Sequence, residues 1–169
     1  MNDAKDNRVS SRLTQVMSRV KNEDLISARG ERNVATGILT ALGKSWLKGF
    51  NFNKKAVLES VLQASFTLNP TTGEVSIPDL IPIQQLEYPE GATHVEFSSG
   101  FLNLDFVTGD KDLQLSNLIN LPIDATVSTV TLTPLGVPAG TGQDFYFLKA
   151  AFFQEINAVQ YPLNNGAFN

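Results

Sequence analysis

Apolar and polar positions alternate with two different periods along this chain. Over residues 5–21, Val9, Leu13, Val16, Met17 and Val20 recur at intervals of three and four, and Lys5, Arg8, Arg12 and Arg19 fall on the other side. That spacing predicts an amphipathic helix. The apolar stripe is too narrow to hold a lone helix of this length, so it must dock on the rest of the chain or on a neighbour. Asn22-Glu23-Asp24 offers capping residues, and Leu25, Ala28, Val34, Ile38, Leu42 and Trp46 continue at near-helical spacing. The expectation is a second helix over about residues 23–48. Gly30, Gly37 and Gly43 interrupt it. Each costs a helix about 1 kcal/mol relative to alanine, so they mark close approach of another backbone or a break near Gly30. Trp46 reads as core filler rather than as a ligand platform.

Lys48-Gly49-Phe50-Asn51-Phe52-Asn53 ends the helical region, and residues 54–63 fit a short helix or a strand equally. Beyond them the period falls to two. Residues 65–69 and 74–77 read as strands around a turn-rich Asn69-Pro70-Thr71-Thr72-Gly73. Pro78, Pro82 and Pro89 mark a covering loop or an edge, because proline cannot donate to a ladder. Residues 91–116 read as a three-strand meander, with Val95 and Phe97, then Leu102, Leu104 and Phe106, then Leu113 and Leu115 as the apolar positions. Ser98-Ser99-Gly100 and Thr108-Gly109-Asp110-Lys111 are its turns. Such alternation predicts one buried and one wet face in an antiparallel sheet. Residues 125–133 give another strand, and residues 134–143 a Pro- and Gly-rich loop.

Residues 144–161 carry four of the eleven phenylalanines and two of the three tyrosines. One face of a strand here shows Tyr146, Leu148, Ala150, Phe152 and Ile156; the other shows Phe145, Phe147, Lys149, Ala151, Phe153 and Glu155. This strand is expected to be central and covered on both sides for part of its length. Asn157-Ala158 then makes a tight hairpin turn, and no strand is expected after residue 161. The fold predicted is mainly β, an antiparallel β-sandwich of about seven or eight strands with an N-terminal helical segment. The helical segment is residues 1–53 and the β-sandwich domain residues 54–169.

Charge adds an asymmetry. Residues 1–55 hold eleven Lys/Arg and five Asp/Glu; residues 56–169 hold two and twelve. Either the basic segment folds back on the acidic body, or the basic end of one copy meets the acidic face of the next. Cysteine is absent, which excludes disulfides and thiolate metal sites. No apolar run is long enough for a membrane span, and the polar start lacks a signal-peptide apolar region. A cytoplasmic protein, or one reaching the surface or exterior by another route, is expected.

Chemistry is sparse. His94, the single histidine, sits in a strand with no nucleophile signature beside it and reads as structural. Asp105, Asp110 and Asp112 surround one turn and are candidate calcium ligands, but Asp105 and Asp112 are also what the wet face of a strand pair carries. That plainer reading is preferred. No catalytic residue, metal site or cofactor is assigned. The candidate interaction residues are Arg8, Arg12 and Arg19 on the first helix and Phe145, Phe147 and Phe153 on the mixed face. The phenylalanines are either covered by the helical segment, the preferred reading, or left as an exposed patch. A non-enzymatic structural subunit is therefore expected, self-associating as an oligomer or filament through its basic helix or a terminal strand. A carbohydrate- or surface-binding module is the alternative, and nucleic-acid binding by the three arginines stands behind both.

Several motifs occur in a recognisable order: Ser11-Arg12-Leu13-Thr14-Gln15-Val16-Met17, Ala28-Arg29-Gly30-Glu31-Arg32-Asn33-Val34, Lys48-Gly49-Phe50-Asn51-Phe52-Asn53, Gly91-Ala92-Thr93-His94, Leu121-Pro122-Ile123-Asp124 and Phe153-Gln154-Glu155-Ile156-Asn157. Over its whole length the chain resembles a family of Bacteroidota proteins with no assigned activity. The resemblance implies longer members, with a Gly-rich hairpin-like segment before this start and one more apolar strand after this end. By that resemblance the chain is a processed or truncated form, with a sheet edge open to a partner. Family members usually carry Asn-Gly where this chain has Asn157-Ala158, and alanine at positive φ is strained.

Overall fold

The computed structural model describes residues 5–168. It holds eight strands in two antiparallel sheets, with short helices and a longer N-terminal one, the mainly-β architecture expected. Helix α1 spans Val9–Asn22. The second long helix is not formed. Residues 23–33 are loop and turn, followed by α2 (Val34–Gly37) and α3 (Ala41–Leu47). Asp24 explains the break. Its buried carboxylate accepts hydrogen bonds from the Ile26, Ser27 and Asn33 backbone N–H groups, holding the loop in place of a helical turn. Asn33 and Thr40 then cap the two short helices with their side chains.

The glycines serve close packing. A Cβ at Gly37 would lie 2.0 Å from the Val20 carbonyl oxygen of α1, and one at Gly43 would lie 2.0 Å from the Gly37 oxygen. Trp46 is not core filler. Its indole N–H donates to Glu23, and the Arg19 guanidinium lies 4.9 Å from its ring centroid. It clamps α3 to α1 at the surface.

The smaller sheet has the order β1 (Thr67–Leu68), β2 (Val75–Leu80), β6 (Ser128–Leu132). Pro78 is tolerated within β2 because the register against β6 is broken between Ile77 and Leu80. Helices α4 (Leu58–Val61) and α5 (Pro82–Gln85) close the end of the core.

The larger sheet is built on β3 (His94–Leu104), which pairs with β7 (Gln143–Ile156) on one side. On its other side it pairs with β4 (Lys111–Leu115) and β5 (Ile119–Pro122) in tandem. The final strand, β8 (Val159–Phe168), pairs with β7, so the chain does continue as a strand beyond residue 161. Between the sheets lie Val75, Ile77, Leu80, Val130 and Leu132 from one side and Val95, Phe97, Ala150 and Phe152 from the other.

The meander expected over residues 91–116 is corrected at one place. Ser98-Ser99-Gly100 is the middle of β3, not a turn. Val95 and Phe97 therefore face the inter-sheet core, while Leu102 and Leu104, with the opposite parity, face the other side. The Val95–Phe97 face stays covered along the whole strand, through Phe101 and Asn103, while Leu102 and Leu104 on the other face are only partly covered. Gly100 lies on that second face, with Leu113 and Phe147 side-chain carbons 3.3 and 3.7 Å from where its Cβ would be. Strand β4 is inverted as a consequence. Leu113 and Leu115 are exposed, and Asp112 and Gln114 are turned inward toward the 134–142 loop.

Candidate functional site

A cleft of about 850 Å³ runs along residues 143–149 of β7. Its two walls come from different parts of the chain. Leu13 and Met17 of α1, Leu47 of α3, and Phe50 and Phe52 form one wall; Phe66, Leu68 and Val75 of the β1–β2 hairpin form the other. The Phe50–Phe52 segment is held by Arg12, which donates to the Asn51 and Phe52 carbonyls at 2.7 and 3.0 Å and to Asp6 at 2.7 Å. The Lys54 backbone N–H, together with the Arg8 N–H and the Arg12 charge, holds the Asp6 carboxyl below its usual range. The Phe50–Phe52 part of the wall is thus fixed by hydrogen bonds rather than by regular structure.

Odd-numbered residues of β7 face the helical segment. The Phe147 ring meets Phe52 edge-on at 5.8 Å, and Phe145 meets Phe106 at 6.1 Å. Even-numbered residues face the hairpin. Tyr146 stacks on Phe101 at 4.7 Å, and its hydroxyl donates to the Pro70 carbonyl at 2.7 Å. Burial, with Asp144 nearby, raises the Tyr146 hydroxyl pKa above its ordinary value. Asp144 accepts from the buried Asn103 amide, whose oxygen accepts from Gly142 N–H. The charged groups lining the cleft are Lys44, Lys48, Lys149, Glu59 and Asp144.

The far edge of β7 runs along this cleft. Strand β8 covers it from Ala150 to Ile156, and among the described residues no strand pairs with that edge over residues 143–149. Which groups face the cleft follows from one proline. Pro162 lies opposite Phe153 and has no N–H, so Phe153 cannot be a hydrogen-bonded partner of β8. Its backbone points to β3 instead, consistent with the Thr93 N–H donating to the Phe153 carbonyl. The β3–β7 register is unbroken, so the same parity holds along the strand. Asp144, Tyr146 and Leu148 therefore present N–H and C=O groups to the cleft.

The residues singled out in the sequence fall in different places. Phe145 and Phe147 line the cleft and are partly covered; Phe153 lies further along β7, between His94 and Pro162 of its neighbours. Arg12 and Arg19 make contacts within the helical segment, and Arg8 is exposed. A second, basic concavity of about 320 Å³ is lined by Lys21, Asn22, Arg29, Gly30 and Arg32.

Asp105, Asp110 and Asp112 do not converge as calcium ligands. Asp105 accepts from the Val107 N–H of its own turn, and Asp110 from the Thr108 hydroxyl. Asp112 is held low in pKa by the Ala139 N–H and then by Gln114. Among the described residues no group of three or more His, Cys, Asp or Glu could hold a metal ion, and no helix is long and apolar enough to cross a membrane. His94 contacts the Thr93 hydroxyl at 3.0 Å and lies 3.6 Å from Glu155.

Sequence reasoning missed Phe50, Phe52, Phe66 and Leu68 as site residues. Phenylalanines two apart in a Gly- and Asn-rich segment signal an extended piece with one apolar side, and that signal is present in the Gly49–Asn53 stretch. Comparison with known proteins adds no assignment: no protein-family model, no curated protein and no solved structure matches this chain.

Proposed function

We propose that the protein is a non-enzymatic structural subunit that joins other polypeptide chains at the open half of β7 and associates with its own copies through its basic N-terminal helix. The observation that carries this reading is a bare strand edge lying between two apolar walls. Backbone groups there gain partners when another chain pairs with them, and the walls supply burial. The division of the sequence into a basic segment and an acidic body supports polar association of copies. The test is the particle mass by light scattering, at several protein concentrations and at low and high salt. Mass above the monomer, falling with salt where charge guides contact, is expected. A monomer at every concentration and salt counts against self-association.

The carbohydrate-binding alternative has one observation in its favour. Phe145, Phe147, Glu59 and Asp144 line the same cleft. The rings, however, meet Phe106 and Phe52 edge-on rather than lying flat as platforms, and Asp144 is already bonded to Asn103. Strand pairing uses the cleft as it stands.

A further inference from the structure

Resting on the reading of the protein as an assembly subunit, we propose that the cleft accepts a single extended, uncharged, apolar segment. It is about seven residues long, comes from another polypeptide and lies antiparallel to β7 in line with β8. Its length is that of the open stretch, residues 143–149. Its direction is set by β8, which runs antiparallel along the other half of the same edge and ends opposite Ala150. A segment entering beyond that point continues the same ladder, and antiparallel pairing is the more stable per residue.

Its composition follows from the walls. A strand sends alternate side chains to opposite faces. In this cleft one set meets Leu13, Met17 and Phe52 and the other meets Phe66, Leu68 and Val75. Both sets must be apolar, as in a strand covered on both faces. A charged residue at the centre of the segment would lose its hydration between these apolar walls.

Among the described residues, the alternating apolar runs of β2, β3, β6 and β7 are each paired within the two sheets, so residues 5–168 of a second copy offer no free segment. The donor is a different chain.

Hydrogen exchange resolved to single amides tests this. The probe is a synthetic peptide of seven alternating valine, isoleucine and leucine residues flanked by arginines, with two further peptides that differ in side-chain size. Saturating peptide is expected to slow exchange of the Asp144, Tyr146 and Leu148 amides by about tenfold or more. The Phe145 and Phe147 amides, already directed at β3, are expected to stay unchanged. The same peptide with every central amide N-methylated is expected to give no protection. Protection equal with the methylated peptide would overturn strand pairing, and no protection with any of the three would overturn the site. Slow exchange at these three amides in the free protein, with a dimer by light scattering, would give the cleft to a second copy and overturn the choice of donor. The outcomes separate this inference from the functional reading. Assemblies whose three amides still exchange fast would leave the assembly reading standing and remove this one. A protein that stays monomeric while the peptide protects those amides would keep this inference and remove self-association.

Discussion

Two halves of one strand behave differently in this molecule. Residues 150–156 of β7 have β8 on one side, with β3 on the other as far as Phe153, and Phe152 there is buried between the sheets. Residues 143–149 have β3 on one side and a cleft on the other, yet they carry Phe145, Tyr146, Phe147 and Leu148. Exposed strand edges are usually blunted by charge, proline or a bulge. Here Asp144 and Lys149 stand near the two ends of the open stretch, and its middle is apolar. The difference teaches that neighbouring strands do not follow from the composition of a strand. Both halves look equally like central strand, and only one of them is.

The largest expected effect separates the halves by packing. Phe152→Ala should cost about 3–5 kcal/mol, the loss for a large core side chain that leaves a cavity. Phe147→Ala, partly covered and edge-on to Phe52, should cost about 1–2 kcal/mol, because less surface returns to water. Urea unfolding of the two variants measures the gap. Equal losses would mean that the open half is packed as tightly as the closed one.

Next in size is the wall that makes the open half a cleft. A Cβ at Gly37 would meet the Val20 carbonyl oxygen, so Gly37→Ala must displace α1 from α2. Overpacking of this kind costs about 1–3 kcal/mol. Trp46 is the single tryptophan and contacts Glu23 and Arg19, so its fluorescence reads the helical wall alone. The expected result is a changed Trp46 signal with far-UV circular dichroism of the sheets intact. An unchanged signal would show that the helices yield without opening.

How much of this was legible can be traced through particular residues. The period-two pattern of β3 and β7 carried the fold class, because sheets that bury one face must alternate. The phase change at Ser98-Ser99-Gly100 was visible, but small residues between two apolar frames fit a turn as well as one continuous strand that keeps Phe101 buried and gives Leu102 and Leu104 partial cover on the other face. Only the pairing partners separate those readings. Asp112 was read as solvated; it turns inward because the 134–142 loop brings the Ala139 N–H to it, a contact 27 residues away. The cleft was the least legible part. Its walls join residues 13–52 to residues 66–75 across a strand near residue 147, and no local pattern encodes such a meeting. Phe145 and Phe147 were found because their strand was found. Phe50 and Phe52 were not, because hydrogen bonds from Arg12 order their segment.

Acid should loosen the wall before it touches the sheets. The Ser27 N–H, helped by those of Asn33 and Ile26, lowers the Asp24 pKa from 3.8 to about 2. A carboxylate depressed in the folded state contributes stability that is present above its unfolded pKa and lost as pH falls through its folded one. The Trp46 signal should therefore change between about pH 4 and pH 2, ahead of the sheets. In Asp24→Asn the amide places a donor against an N–H, so the loop should already be loose at neutral pH and flat across that window. A wild-type signal constant to pH 2 would remove Asp24 from this role.

The smallest effect sharpens the closed half. The β7–β8 hairpin turns on Asn157 and Ala158, at φ 53° and 60°, with Ile156 directly opposite Val159. Both central residues are left-handed, as a two-residue type I′ loop requires. Asparagine tolerates that region, but for alanine the Cβ crowds the following carbonyl at a cost of about 1 kcal/mol. Ala158→Gly removes that crowding and also adds freedom to the unfolded chain, which offsets part of the gain. A net stabilisation of about 0.5–1 kcal/mol is expected, and it should arise where β8 already pairs with β7. Exchange of the outward amides at Phe152 and Gln154 should slow, while that at Tyr146 and Leu148 should not move. If all four slowed together, the two halves of β7 would open as one unit, and the open edge would owe its state to β8 rather than to the cleft.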